Sequence, residues 1–190
     1  MTEAVEPLRP AGRKADPLAP ILFAVAIFTS ACLVFVVQPM AAKLILPTLG
    51  GSPSVWNASM VFFQTALLAG YAYAHLLQRL PSLRAQVGAH LALLALAALF
   101  LPLKISGVLG DPDAAQPALW LLATLAVSIG APFAVLSATA PLLQAWYARV
   151  RAGHADGANP YVLYAASNLG SFLALLACLL YTSPSPRDRG

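Results

Sequence analysis

The stretch Leu18-Ala19-Pro20-Ile21-Leu22-Phe23-Ala24-Val25-Ala26-Ile27-Phe28-Thr29-Ser30-Ala31-Cys32-Leu33-Val34-Phe35-Val36-Val37 decides the class of fold. It lies in a segment, Pro17 to Ala42, that carries no charge. As a helix it extends about 30 Å, the thickness of a bilayer's hydrocarbon core. Pro20 falls in the first turn, where a missing backbone N–H costs nothing. A cleaved secretory signal is the rival reading, because Arg13 and Lys14 precede the run and Thr29-Ser30-Ala31-Cys32 resembles a lipoprotein cleavage box. The apolar region of a signal covers only about 7 to 15 residues and stops before its cleavage site, whereas this run continues past Cys32 to Val37. It reads as a transmembrane helix.

The whole chain agrees with that stretch. Of its 190 residues, 59% are hydrophobic and 9% charged, and the mean hydropathy is +0.75. A soluble domain carries about 25% charge, so this chain has too little to cover a water-facing surface. A soluble enzyme domain, a disordered chain and a secreted disulfide scaffold are excluded. The net charge of +4 does not indicate a nucleic-acid partner, because the bases lie in short loops between apolar runs rather than along one face.

Residues 1–17 are polar and Pro-rich and are expected to form a disordered cytoplasmic leader. The membrane domain is expected over 18–177, with spans at about 18–37, 55–77, 85–103, 117–136 and 160–177. The third span is nearly pure Leu and Ala, and Pro132 is expected to kink the fourth. Residues 141–150, with Trp146 and Tyr147, read as an amphipathic interfacial helix. The expected fold is an all-α polytopic membrane protein of about five transmembrane helices plus one interfacial helix.

From Cys178 the apolar pattern gives way to Tyr181-Thr182-Ser183-Pro184-Ser185-Pro186-Arg187-Asp188-Arg189-Gly190. This string resembles the in-frame translation of a sequencing adaptor; the alternative is a genuine short polar tail. Residues 178–190 are expected to be non-native and the native chain to continue beyond 177. Discounting Arg187, Asp188 and Arg189 lowers the net charge from +4 to +3. It also leaves Cys32 as the one native cysteine, so neither a disulfide nor a paired-thiol metal site is expected.

The bases set an orientation. Arg9, Arg13, Lys14, Arg79, Arg84, Arg149 and Arg151 lie on one side, and only Lys43 and Lys104 on the other. By the positive-inside rule the N-terminus is cytoplasmic.

Polar residues within the spans are the candidate site. In the second span Asn57, Gln64, Tyr71 and His75 lie within about 40° of one another around a helix, while Ala66, Gly70 and Ala74 form a small-residue ridge on another face. In the fifth, Tyr161, Tyr164, Asn168 and Ser171 lie within about 80°, and Ala166, Gly170 and Ala174 form a second ridge. The two stripes suit a polar cavity or substrate path between the helices; equally, neutral amides and hydroxyls serve as interhelical glue. His75, near a helix end, suits a headgroup boundary, and His90 stands alone in an apolar helix. With His154 in a loop, the histidines and Cys32 form no metal set. Lys43 is placed in the first outer loop, where it snorkels to the interface. No Asp or Glu falls in any span, which weakens an ion-driven transporter and leaves a uniporter open. No catalytic, cofactor or metal residue is identified.

Several runs carry a family resemblance. Val37-Gln38-Pro39-Met40, Lys43-Leu44-Ile45-Leu46-Pro47, Leu49-Gly50-Gly51-Ser52-Pro53-Ser54-Val55-Trp56-Asn57, Phe62-Phe63-Gln64 and Leu67-Leu68-Ala69-Gly70-Tyr71-Ala72-Tyr73-Ala74-His75-Leu76 come first. Gly130-Ala131-Pro132-Phe133, Leu136-Ser137-Ala138-Thr139-Ala140-Pro141-Leu142-Leu143-Gln144-Ala145-Trp146 and Pro160-Tyr161-Val162-Leu163-Tyr164-Ala165-Ala166-Ser167-Asn168-Leu169-Gly170-Ser171 follow. Together they resemble, over residues 18–177, the amino-terminal membrane region of bacterial fused major-facilitator/spermidine-synthase-like proteins. That resemblance implies an inner-membrane module with further helices and a C-terminal aminopropyltransferase-like domain as partners, besides the lipid bilayer. It also implies transport of polyamine-related solutes; the alternative is a structural anchor or assembly scaffold with no transport path. The Gly-rich turn and acid of a nucleotide-binding strand–turn–helix are absent from this sequence, so no catalytic residue carries over.

A reporter fused after residue 82 is expected to be cytoplasmic, and one fused after residue 112 periplasmic. The same compartment at both positions contradicts this orientation.

Overall fold

The computed structural model describes residues 18–49, 52–99, 109–112, 115–153 and 161–182. Among them there is no strand; the helices are α1 (Leu18–Leu49), α2 (Pro53–Leu77), α3 (Leu83–Ala98), α4 (Pro117–Leu125), α5 (Ala131–Val150) and α6 (Tyr161–Thr182). A π-helical turn, Ala126–Gly130, joins α4 to α5, so Pro117–Val150 is one helical run of 34 residues. Four segments are long and apolar enough to cross a membrane: Leu18–Ile45, Pro53–Leu77, Pro117–Val150 and Tyr161–Leu180. Leu83–Ala98 is a shorter apolar helix. The protein is an all-α polytopic membrane protein.

Local chemistry sets the helix starts. Ser52 caps α2 by accepting from the Val55 N–H, with Pro53 in the first turn. Ser82 caps α3 in the same way, accepting from Ala85 N–H at 3.1 Å. Within the spans, Thr29, Ser59, Thr65 and Ser171 donate their hydroxyls to carbonyls one turn back, which satisfies them without water.

The end of α1 and the segment 141–150 differ from the sequence expectation, and the kink expected at Pro132 takes another form. α1 continues through Gln38 and Pro39 to Leu49, which places Lys43 on an exposed face of the helix instead of in an outer loop. Proline is tolerated there because bilayer helices find other partners for the one backbone group it frees. The segment 141–150 is no separate interfacial helix: α5 runs through Pro141, and Trp146 and Tyr147 are buried in the bundle. The expected irregularity at Pro132 takes the form of the π-helical turn just before it. That wider turn accommodates a ring that would clash with the carbonyl four residues back. The leader 1–17, Lys104, His154 and residues 183–190 of the expected tail lie outside the described residues.

α6 packs on α1, α1 on α5, and α5 on α2 and α3, with α4 against α2. At one end, Val34, Ile45, Phe62, Leu121, Leu125 and Phe133 belong to a core built from α1, α2, α4 and α5, where the rings of Phe63 and Phe133 meet edge to face at 5.2 Å. At the other end Ala74, Leu77, Ala138, Leu142 and Trp146 join α2 to α5. Leu22, Val25, Leu68, Phe172 and Leu180 are exposed, an outward apolar surface suited to lipid.

Two glycines allow the closest approaches. A Cβ on Gly70 would run into the Ala134 carbonyl and Ser137 Oγ of α5. On Gly170 it would lie 2.5 Å from the Phe28 carbonyl oxygen of α1. There Cys32 Sγ–H donates to the Gly170 carbonyl at 3.2 Å. Gly88, by contrast, has nothing within 4 Å of such a Cβ.

Gly70→Val is expected to cost about 2 kcal/mol or more, since backbone must move to admit the side chain. Gly88→Ala is expected to be neutral or to stabilise by up to about 1 kcal/mol. Reversible unfolding in mixed micelles measures both, and equal effects would contradict the close approach at Gly70.

Candidate functional site: a buried Gln–His network

The α2–α3 turn ends at Pro81, and α3 then carries Gln86 and His90 four residues apart on one face. Apart from Arg84 near the helix start, they are the polar side chains of α3. Both are enclosed, at 0% and 2% exposure. α2 supplies Tyr73 from its last two turns, and α5 supplies Thr139, Trp146 and Arg149 along the side that meets α3.

The Gln86 side chain uses its full hydrogen-bonding capacity. Its Nε2 donates to the Leu80 carbonyl at 2.7 Å and the Gln78 carbonyl at 3.3 Å, closing off the end of α2. Its Oε1 accepts from Trp146 Nε1–H at 2.9 Å and from an Arg149 guanidinium N–H at 3.2 Å. Arg149 also donates to the Gln78 carbonyl at 3.5 Å. A single amide therefore ties the end of α2, the start of α3 and the last turns of α5.

One turn further along α3, His90 Nδ1 lies 3.3 Å from the Tyr73 hydroxyl and Nε2 3.1 Å from Thr139 Oγ1. Hydroxyls donate or accept, so the pair serves either imidazole tautomer. The Tyr73 ring stacks on His90 at 27° and the Trp146 ring meets it edge-on at 76°, each with centroids 6.0 Å away. The imidazole thus has a partner on each nitrogen and an aromatic ring on two sides. Read as a solitary histidine, His90 is instead the centre of a three-helix cluster. The available signal was the four-residue spacing of Gln86 and His90 in a helix otherwise made of Leu, Ala, Val and Gly beyond Arg84.

The two stripes lie elsewhere. Asn57, Gln64, Tyr71 and His75 are all exposed on the outer face of α2, and Tyr161, Tyr164 and Asn168 on that of α6, with Ser171 half-buried. The structure does not bring the two stripes together, because α2 packs chiefly on α5 and α6 on α1. The side chains of Asn57, Gln64, Tyr71 and His75 have no hydrogen-bond partner among the described residues. Of the ridge residues, Ala66, Gly70, Ala74, Gly170 and Ala174 are buried and Ala166 half-buried. Ser30 Oγ, Trp120 Nε1 and Thr124 Oγ1 are buried without a partner among the described residues. An apolar cleft of about 200 Å³ opens between α1, α3 and α5, lined by Leu33, Val37, Leu94, Ala97, Phe133 and Leu136. It offers nothing to solvate a polar solute.

No protein-family profile, curated protein or solved structure matches the chain.

Gln86→Leu removes both donors and the shared acceptor while keeping most of the volume. The buried Trp146 N–H and the α2 carbonyls then lose partners, so a loss of about 1–3 kcal/mol in micelle unfolding is expected. An unchanged stability would contradict the clamp.

Proposed function

We propose that the chain is the inner-membrane module of a spermidine-synthase-like fusion protein, N-terminus cytoplasmic, which anchors a further domain and moves polyamine-related solutes. The ordered motif runs from Val37 to Ser171 support the family, and the seven-to-two division of Lys and Arg supports the orientation. The observation that supports more than anchoring is His90. An ionisable side chain buried between three membrane helices is expensive, and an anchor has no need of one.

A second reading, an assembly scaffold without a transport path, is favoured by the outward stripe of α2. Gln64, exposed midway along the α2 span, and Asn57, exposed nearer its start, are polar groups that further helices would partner. On either reading these faces are contacts for more protein.

Flux of labelled spermidine into proteoliposomes tests transport. The protein is expected to exceed empty liposomes, and a His90→Leu variant of unchanged helicity is expected to lose that excess. Flux equal to that of empty liposomes overturns transport in favour of the scaffold.

A further inference from the structure

We propose that His90 is a proton-binding site inside the membrane domain, in which the Tyr73 and Thr139 hydroxyls both accept from the ring once it is charged and the Tyr73 ring stacks on it. The site does not depend on the transport reading, since protonation is an equilibrium property of the folded bundle.

Three observations carry it. First, both ring nitrogens have hydroxyl neighbours, at 3.3 Å and 3.1 Å. A neutral imidazole has one N–H and one lone pair, so one hydroxyl accepts from it and the other donates to it. An imidazolium has two N–H groups, and both hydroxyls then accept; only their rotation is needed, with no movement of backbone. Second, Tyr73 and Thr139 are half-buried while His90 is enclosed, so the two hydroxyl-bearing residues are the less enclosed members of the network. A proton arriving from water at the donating hydroxyl is taken up on that oxygen while the hydroxyl's own hydrogen passes to the ring nitrogen. One N–H bond forms, one O–H bond breaks and another replaces it, leaving the hydroxyl neutral and the ring cationic. Third, the Tyr73 ring stacks on the imidazole at 27° with centroids 6.0 Å apart, which turns its face toward the ring at the distance where an aromatic face attracts a cation.

The surrounding charges are few. From α2 the titratable neighbour is Tyr73, while His75 points away on the exposed face. From α5 it is Arg149, whose guanidinium is committed to Gln86 Oε1 and the Gln78 carbonyl. On α3 itself Arg84 is exposed, and α1 contributes the apolar Phe23 to this end of the core. Asp111, in the 109–112 segment, is the one carboxylate among the described residues, so the groups that meet this histidine are two hydroxyls and the Tyr73 ring.

Trp146 supplies a reporter, because an imidazolium beside an indole quenches its emission. The chain has three tryptophans, and Trp56→Phe with Trp120→Phe leaves Trp146 alone. In liposomes, titrating this protein between about pH 8 and pH 5 is expected to lower the emission along a one-proton curve. His90→Gln in the same background is expected to flatten it. Constant emission with His90 present, or the same curve without it, overturns the proposal. Should His90→Gln fail to fold, Thr139→Val removes one acceptor of the charged form and is expected to move the midpoint down by about one pH unit. An unmoved midpoint overturns the proposal equally.

Discussion

Inside a bilayer a polar atom finds no water, so a buried donor or acceptor without a protein partner is costly. Gln86 is where this constraint organises the bundle. α3 is the shortest of the apolar helices that could pair with the membrane, and its contacts are mainly with α5. One amide side chain satisfies two carbonyls at the end of α2 and accepts from Trp146 and Arg149 of α5. That fixes the height of α3 against its neighbours, and with it the position of His90 between Tyr73 and Thr139. Apolar packing alone would not do so, because lipid competes equally well for Leu and Ala.

The same constraint explains the close contacts between helices. Where α2 meets α5 and α6 meets α1, glycine lets the backbones approach, at Gly70 and Gly170, and dispersion replaces the missing hydrophobic drive. Around Phe62, Phe63 and Phe133 aromatic rings, packed edge to face, fill the space between the helices. The polar network lies on the α2–α3–α5 side, and the apolar cleft between α1, α3 and α5 takes none of its groups.

Much of the fold was legible because hydrophobic length is a direct consequence of bilayer thickness; the run from Leu18 to Val37 alone establishes the class. Helix ends were less legible. Gln38-Pro39 and Ala140-Pro141 look like stops to a rule drawn from water, but in lipid the chain gains more by keeping its remaining backbone bonds than by breaking the helix. The stripes on α2 and α6 followed from angular arithmetic, which gives the face of a helix and not its neighbour, so that they point outward could not be read from spacing. His90 was missed for the same reason. Its partners Tyr73 and Thr139 lie 17 and 49 residues away, on helices whose adjacency only the folded bundle reveals.

Gln86 couples α3 to α5 through the Trp146 N–H. A double-mutant cycle with Gln86→Leu and Trp146→Phe, measured by reversible unfolding in mixed micelles, tests it most directly. A coupling energy of about 1 kcal/mol or more is expected. Additive effects of the two substitutions would contradict it.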